Sequence, residues 1–327
     1  MRVGERTGRI LLASAAVAAF GFAGYGAVAQ TADTEAAHVA AANKAAGQDL
    51  RATFRLCPGA PQPGDPASNT AEPTKVFDNL YFVGIPAVSA WAITTSDGII
   101  VIDSLNNARE AETFIEGGLR KLGLDPAQVK YVLITHAHTD HFGGAQYLAD
   151  KLRAQLVMSE TDWNVLATQQ PSANPNRGPI PKRGMSVKDG EKLTLGDTSI
   201  EIHETPPHTP GTVSLIIQLR DGNARHVAEL WGGNSFNFQP MEANFTTYAN
   251  SVARFAQIAK DRGADVQLGN HPNFDEALEK IAKLKTRAPG QPHPFVVGAE
   301  GVGRILTVQR ECALAARARL RSTGAAK

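Results

Sequence analysis

The chain has 327 residues, 43% of them hydrophobic and 20% charged, with a formal net charge of +1. That length and apolar content can fill one substantial core, and the near-neutral balance excludes a protein that grips nucleic acid through a basic face.

In chain order, residues 1–29 come first. Arg2, Arg6 and Arg9 form a positive start, Ile10 to Gly26 is an apolar, small-residue run, and Ala27-Val28-Ala29 precedes Gln30. This is the pattern of a secretory signal peptide. The run is short and rich in Ala and Gly, which argues against a retained membrane anchor. Its removal takes away three Arg and one Glu and leaves a net charge of −1. A periplasmic or secreted protein is expected, with no stable membrane association once the signal is cleaved. In such a compartment Cys57 and Cys312 either pair or remain two thiols. If they pair, the long closed loop implies a contribution of up to about 4–5 kcal/mol.

Residues 30–74 are Ala-rich and then Pro/Gly-rich through Cys57-Pro58-Gly59-Ala60-Pro61-Gln62-Pro63-Gly64-Asp65-Pro66, which reads as an extended N-terminal arm. One domain is expected over 75–327. Strands are expected at Asn79–Val83, Ala90–Thr95 and Ile99–Asp103, the last two joined through Ser96-Asp97-Gly98. A helix over Ala108–Leu122 then precedes a strand over Val129–Thr135, and Ala145–Leu152 is helical. Thr161 to Lys188 shows no periodicity and reads as a lid or binding loop, in which Trp163 is a candidate to stack on a ligand. Further strands are expected at Lys192–Leu195, Thr198–Ile202, Val213–Leu219 and Val227–Trp231. Helices are expected at Tyr248–Arg262, Phe274–Lys285 and Val302–Leu320. Strands followed by helices in each half argue for a layered α/β arrangement.

The run Thr135-His136-Ala137-His138-Thr139-Asp140-His141 puts three of the nine His and one Asp within six residues, just after an apolar strand. Residues two apart on a strand point the same way, so His136 and His138 can reach one cation. Asp140 and His141, in the following turn, face a second point nearby. Imidazole and carboxylate suit zinc, although iron or manganese can use the same ligands. His208, in a loop stiffened by three prolines, and His271, after the apolar run Asp265–Leu268, arrive from other strand ends. Asp103 ends the strand Ile99–Ile102 and is a candidate to orient one ligating imidazole through its second nitrogen.

With His208 and His271 added, the His-Ala-His-Thr-Asp-His run resembles the metallo-β-lactamase superfamily, and more closely its subclass B3 β-lactamases, from about Val76 to the C-terminal helix. The resemblance implies a four-layer αββα sandwich and two Zn2+ per chain. His136, His138 and His208 would hold one, and Asp140, His141 and His271 the other. Binuclear relatives outside subclass B3 usually carry a bridging Asp where this chain has Gly233-Asn234, so a β-lactam ring is favoured over a lactone or thioester. By the same resemblance, a water shared by the cations is deprotonated and attacks the lactam carbonyl, with Asp140 orienting it as a catalytic group. No Ser or Cys nucleophile is needed, and Ser214 and Ser235 are read as structural. Asn234 falls where subclass B3 enzymes often place a Ser near the metal-bound water, and is a candidate substrate contact. Pro207 replaces the Gly usual before the isolated His. A small-molecule substrate and no nucleic-acid partner are expected. A metallohydrolase acting on a lactone, thioester or ester, and a non-catalytic metal-binding protein, are the other readings.

Overall fold

The computed structural model describes Met1, residues 33–61 and residues 71–324. The proposed signal segment therefore lies outside the described residues, apart from Met1. From Asp33 onward the chain is one compact unit.

Two sheets form its centre. The first runs in the order β1 (Thr74–Phe77), β2 (Leu80–Phe82), β3 (Trp91–Thr95), β4 (Gly98–Ile102), β5 (Val129–Leu133), β6 (Gln155–Ser159), β7 (Met185–Val187). The second is ordered β12-β11-β10-β9-β8, from β8 (Lys192–Leu195), β9 (Thr198–Glu204), β10 (Val213–Asp221), β11 (Ala224–Trp231) and β12 (Val266–Gly269). Consecutive side chains on a strand point to opposite faces, and the β4 sequence Gly98-Ile99-Ile100-Val101-Ile102 fills both. Ile100 and Ile102 meet Ile202, Leu215 and Leu230 of the second sheet in the central core. Ile99 and Val101 face the other way, onto Ile115, Leu119 and Leu148.

Those three residues belong to helical cover on the outer face of the first sheet. It comprises α2 (Ala108–Glu110), a π turn over Ala111–Glu116, α3 (Gly117–Lys121), α4 (Thr139–Phe142), α5 (Ala145–Leu152) and α6 (Glu160–Thr168). On the second sheet, Ile216 and Trp231 pack against Tyr248, Val252 and Phe255 of α7 (Glu242–Asp261) and Val302 and Leu306 of α10 (Gly298–Ser322). Between them lie α8 (Pro272–Asp275) and α9 (Ala277–Lys285), separated by Glu276 at φ 55°. Three apolar layers between four layers of backbone make the expected αββα sandwich.

The expectation of an extended arm over 30–74 is corrected at residues 35–46; residues 30–32 and 62–70 of that span lie outside the described residues. Glu35–Ala46 is a helix, α1, capped by Thr34, whose hydroxyl oxygen accepts from the Ala37 N–H. An alanine run has the highest helix propensity, and Ala42 and Ala46 gain a partner in Val308 and Cys312 of α10. Cys57 and Cys312 form a disulfide with 4.3 Å between Cα atoms. Arg317 and Arg321 bind Asp33, and Arg319 binds Glu35. The more exposed of these pairs are worth about 0–1 kcal/mol each, so α1 is held chiefly by the disulfide, the buried His38–Glu311 contact at 2.7 Å and its apolar packing on α10. Changing both cysteines to Ser is expected to cost about 2–5 kcal/mol in denaturant unfolding. An unchanged midpoint would show that α1 docks without it. Among the described residues no helix is long and apolar enough to cross a membrane.

Near Asp275 of α8 and Lys280 of α9, Glu229 of β11 is fully buried, and neither carboxylate oxygen has a hydrogen-bond partner. Burial, with Asp275 adding and Lys280 opposing, raises it from 4.5 to about 8. The folded chain thus holds this proton more tightly than the unfolded one. The contribution is fully present below the unfolded value and is lost as pH rises through the folded one. Glu229→Gln is therefore expected to stabilise the protein at about pH 9 and to change little at about pH 5, measured by urea melts. Equal effects at both would refute the assignment.

Candidate metal centre

Strand β5 ends at Leu133 and the chain continues extended through Thr135, so His136 and His138 emerge at the sheet edge. His138 is the N-cap of α4, whose first turn carries Asp140 and His141. This turn is pressed onto the loop after β4. A Cβ on Gly143 would fall 1.9 Å from the Asn106 carbonyl oxygen, so only glycine fits there. His208 arrives from the loop between β9 and β10, and His271 from the end of β12.

These loops bring six ligand atoms into two groups, and within each group the atoms lie within 4.8 Å of one another. In the first group, His208 Nε2 is 3.1 Å from both His136 Nε2 and His138 Nδ1. In the second, His141 Nε2 is 3.2 Å from His271 Nε2, and Asp140 Oδ2 lies 3.6 Å and 3.9 Å from these nitrogens. The rings of His136 and His141, 4.1 Å apart, join the groups.

The far nitrogens fix what these contacts are. His208 Nδ1–H donates to the Ser235 carbonyl at 2.6 Å, and His271 Nδ1–H to the Ala87 carbonyl at 2.8 Å. His141 Nδ1–H donates to Asp103 Oδ2 at 2.7 Å. The Thr135 hydroxyl donates to Asp103 and so accepts from His136 Nδ1–H at 3.0 Å. All four rings therefore turn an Nε2 lone pair inward, and lone pairs 3.1–3.2 Å apart are not hydrogen bonds. A tetrahedral cation with bonds of about 2.0–2.1 Å holds its nitrogens about 3.3–3.4 Å apart, so the donor set fits zinc.

Electrostatics favour the ligating forms. Burial, reinforced by neighbouring imidazoles, pushes His136 well below its ordinary value and His208 down to about 3. Burial also lowers His138, and takes His271 to about 4. Burial opposes ionisation of Asp140, but His141 and His271 outweigh it and lower the carboxyl to about 2. His141 is the exception: against burial, Asp103 and Asp140 raise it. A carboxylate behind a ligating imidazole increases the basicity of its inward nitrogen.

Asp103 sits at φ 60°, and its Oδ1 also accepts from the Thr135 N–H at 2.8 Å. Asp103→Asn is expected to weaken metal at the second group, whose His141 it holds directly, about 10–100-fold, and at the first less, since it reaches His136 only through Thr135, read by competition with a chromogenic chelator. Equal loss at both groups would deny it this specific role.

Two of the expected site residues are not brought into the centre. Trp163 belongs to α6, not to a lid; it is buried beside Leu166, and its Nε1–H donates to the Met185 carbonyl at 2.9 Å. The irregular part of the expected loop is confined to 169–184, between α6 and β7. Asn234 is also buried. Its Nδ2 donates to Asn270 Oδ1 at 2.8 Å and its Oδ1 accepts from Gln309, so it ties the segment after β11 to the residue before His271 and to α10, and both ends of its amide are taken by protein groups.

Sequence reasoning missed Asp162. It is fully buried and accepts from the Ala137 N–H at 2.8 Å, the Gly211 N–H at 2.7 Å and the Thr209 hydroxyl. Its signal was Ser159-x-x-Asp162, a capping pattern in which Ser159 Oγ accepts from the Asp162 N–H. Beside the first group opens a cleft of about 650 Å³ whose lining includes His138, Val165, Pro206, Pro207, His208 and Phe238.

A model described as the metallo-beta-lactamase superfamily matches residues 83–222. The uncharacterized protein YobT of Bacillus subtilis (strain 168) is 30% identical over 161 residues, which are 45% of this chain and 68% of that protein. The probable metallo-hydrolase YybB of the same organism is 25% identical over 143 residues, 42% of this chain and 61% of that one. The matched stretch thus spans about two thirds of these curated relatives. Among solved structures, BJP-1, a subclass B3 metallo-beta-lactamase of Bradyrhizobium japonicum, superimposes with a TM-score of 0.63 at 27% identity, covering 79% of this chain and 97% of that one.

Proposed function

The chain belongs to the metallo-β-lactamase superfamily, and from that membership we propose that it is an exported zinc hydrolase that opens the amide bond of β-lactam rings. The observation that carries the reading is the pair of inward-facing donor groups without a bridging carboxylate, since Asn234 stands where such an Asp would be expected and is turned to Asn270. The likeness to BJP-1 supports the same choice.

His136, His138 and His208 would hold one zinc ion, and Asp140, His141 and His271 the second. Bound zinc supplies a dication that acidifies water and polarises a carbonyl. The chain's own groups do the rest. Backbone carbonyls, Thr135 and Asp103 hold four imidazoles in the ligating tautomer, so little reorganisation is needed. Asp140 stays ionised throughout the physiological range and accepts a hydrogen bond from the attacking water, which fixes its direction. The cleft of Pro206, Pro207 and Phe238 receives the apolar part of the substrate. Export is supported by the Cys57–Cys312 link, because disulfides persist in oxidising compartments.

A second reading, hydrolysis of a lactone, thioester or ester, draws on YybB, whose name specifies a metallo-hydrolase and no lactam. The test is turnover by zinc-loaded protein of a penicillin, a cephalosporin and a carbapenem beside a lactone and a thioester. Lactone hydrolysis without lactam turnover would reverse the order. Activity indifferent to a chelator would remove both readings.

A further inference from the structure

Arg177 lies in the irregular segment between α6 and β7, and that segment is fastened to the centre. The Gly178 N–H donates to the Asn106 carbonyl at 2.7 Å, and Asn107 Nδ2 donates to the Asn176 carbonyl at 2.8 Å. A Cβ on Gly178 would fall 1.8 Å from the Gly143 carbonyl oxygen, two residues past His141. Only glycine allows the chain to rest that closely on the turn bearing Asp140 and His141.

The guanidinium of Arg177 hydrogen-bonds the Asn106 side-chain oxygen, a neutral partner. Asn106 is itself held, because its Nδ2 donates to Glu110 at 2.7 Å. Among the described residues Arg177 has no carboxylate partner, although its charge acts on His138, Asp140 and His141. It is half-buried, so part of the side chain remains accessible to solvent. A guanidinium without a paired carboxylate, fixed beside the turn that bears Asp140 and His141, is a preorganised receptor for an anion.

We propose that Arg177 receives a carboxylate of the substrate, so that this hydrolase selects anionic over neutral substrates; the proposal rests on reading the six ligands as the reaction centre. A planar carboxylate matches the guanidinium fork. Arg177 is thus a specificity residue and takes no part in bond breaking.

The test is a calorimetric titration of zinc-loaded wild type, Arg177→Gln and Arg177→Lys with mercaptoacetate and with its neutral amide. Arg177→Gln is expected to weaken the carboxylate at least about 10-fold and the amide less than about two-fold, with Arg177→Lys between the two proteins. Equal weakening of both ligands would assign Arg177 a structural role, and no weakening, or no preference for the carboxylate in wild type, would also overturn the proposal. Kinetics with a cephalosporin and its methyl ester give a separate answer: a rise in KM confined to the free acid is expected for Arg177→Gln. If wild type turns over neither compound, the lactam reading fails while the binding ratio still decides on Arg177.

Discussion

His208→Ala is expected to empty the first ligand group and to lower kcat/KM by at least on the order of 10³-fold, beyond the 10–100-fold typical of losing an outer-shell partner. The reason is geometric. His208 Nε2 is the vertex shared by the two 3.1 Å contacts to His136 and His138, so its loss leaves two donors where a structural or catalytic zinc needs at least three from protein. It also releases the Ser235 carbonyl, which then lacks its imidazole donor. Elemental analysis after gel filtration should show one zinc per chain missing, with the far-ultraviolet dichroism unchanged. His203→Ala is the control. That residue is on β9, five positions earlier, with its ring against Phe255 of α7, and its substitution should leave metal content intact. A His208→Ala protein that kept full metal but lost activity would place His208 in proton transfer and sink the ligand assignment.

The parts of this centre that sequence made legible are those in which chemistry and strand period coincide. His136 and His138 stand at the end of an apolar strand, and Asp103 ends the neighbouring one. The parallel register Ile102 to Leu133 then sets Asp103 beside Thr135. Backbone partners carry no such mark. Nothing in the residue types of Ser235 or Ala87 announces that their carbonyls accept from His208 and His271. Trp163 and Asn234 were misplaced for a related reason: residue type does not say which way a side chain points, and both are spent on internal hydrogen bonds. The α1 helix carries little mark in the sequence, because its alanine-rich run has no pronounced apolar face and its docking depends on α10, where Arg304 lies 259 residues beyond Ala45. The Cys57–Cys312 link needed the fold, since it spans a separation of 255 residues.

Asp162→Ala is the second substitution with a large expected effect, and it acts without touching a ligand. Ala137 lies between His136 and His138, while Thr209 and Gly211 follow His208, and the Asp162 carboxylate accepts from all three. It is therefore the strut that keeps both halves of the first ligand group in register. Removing it leaves the Ala137 and Gly211 N–H groups buried without acceptors, at about 1–3 kcal/mol each, while the Thr209 hydroxyl can turn to Thr212 Oγ1 at 2.8 Å, so a loss of a few kcal/mol in stability is expected. Asp162→Asn recovers only part of this, since an amide offers one acceptor oxygen and turns an NH₂ group toward remaining N–H donors. Because the damage is confined to the His136, His138 and His208 loops, zinc should dissociate in two phases. The first group is expected to lose about 10–100-fold in affinity, as for other outer-shell partners, while the Asp140, His141 and His271 group stays near wild type. Chelator competition followed over time separates these phases. Parallel weakening of both groups would mean that Asp162 supports the fold at large and does not align one half of the centre.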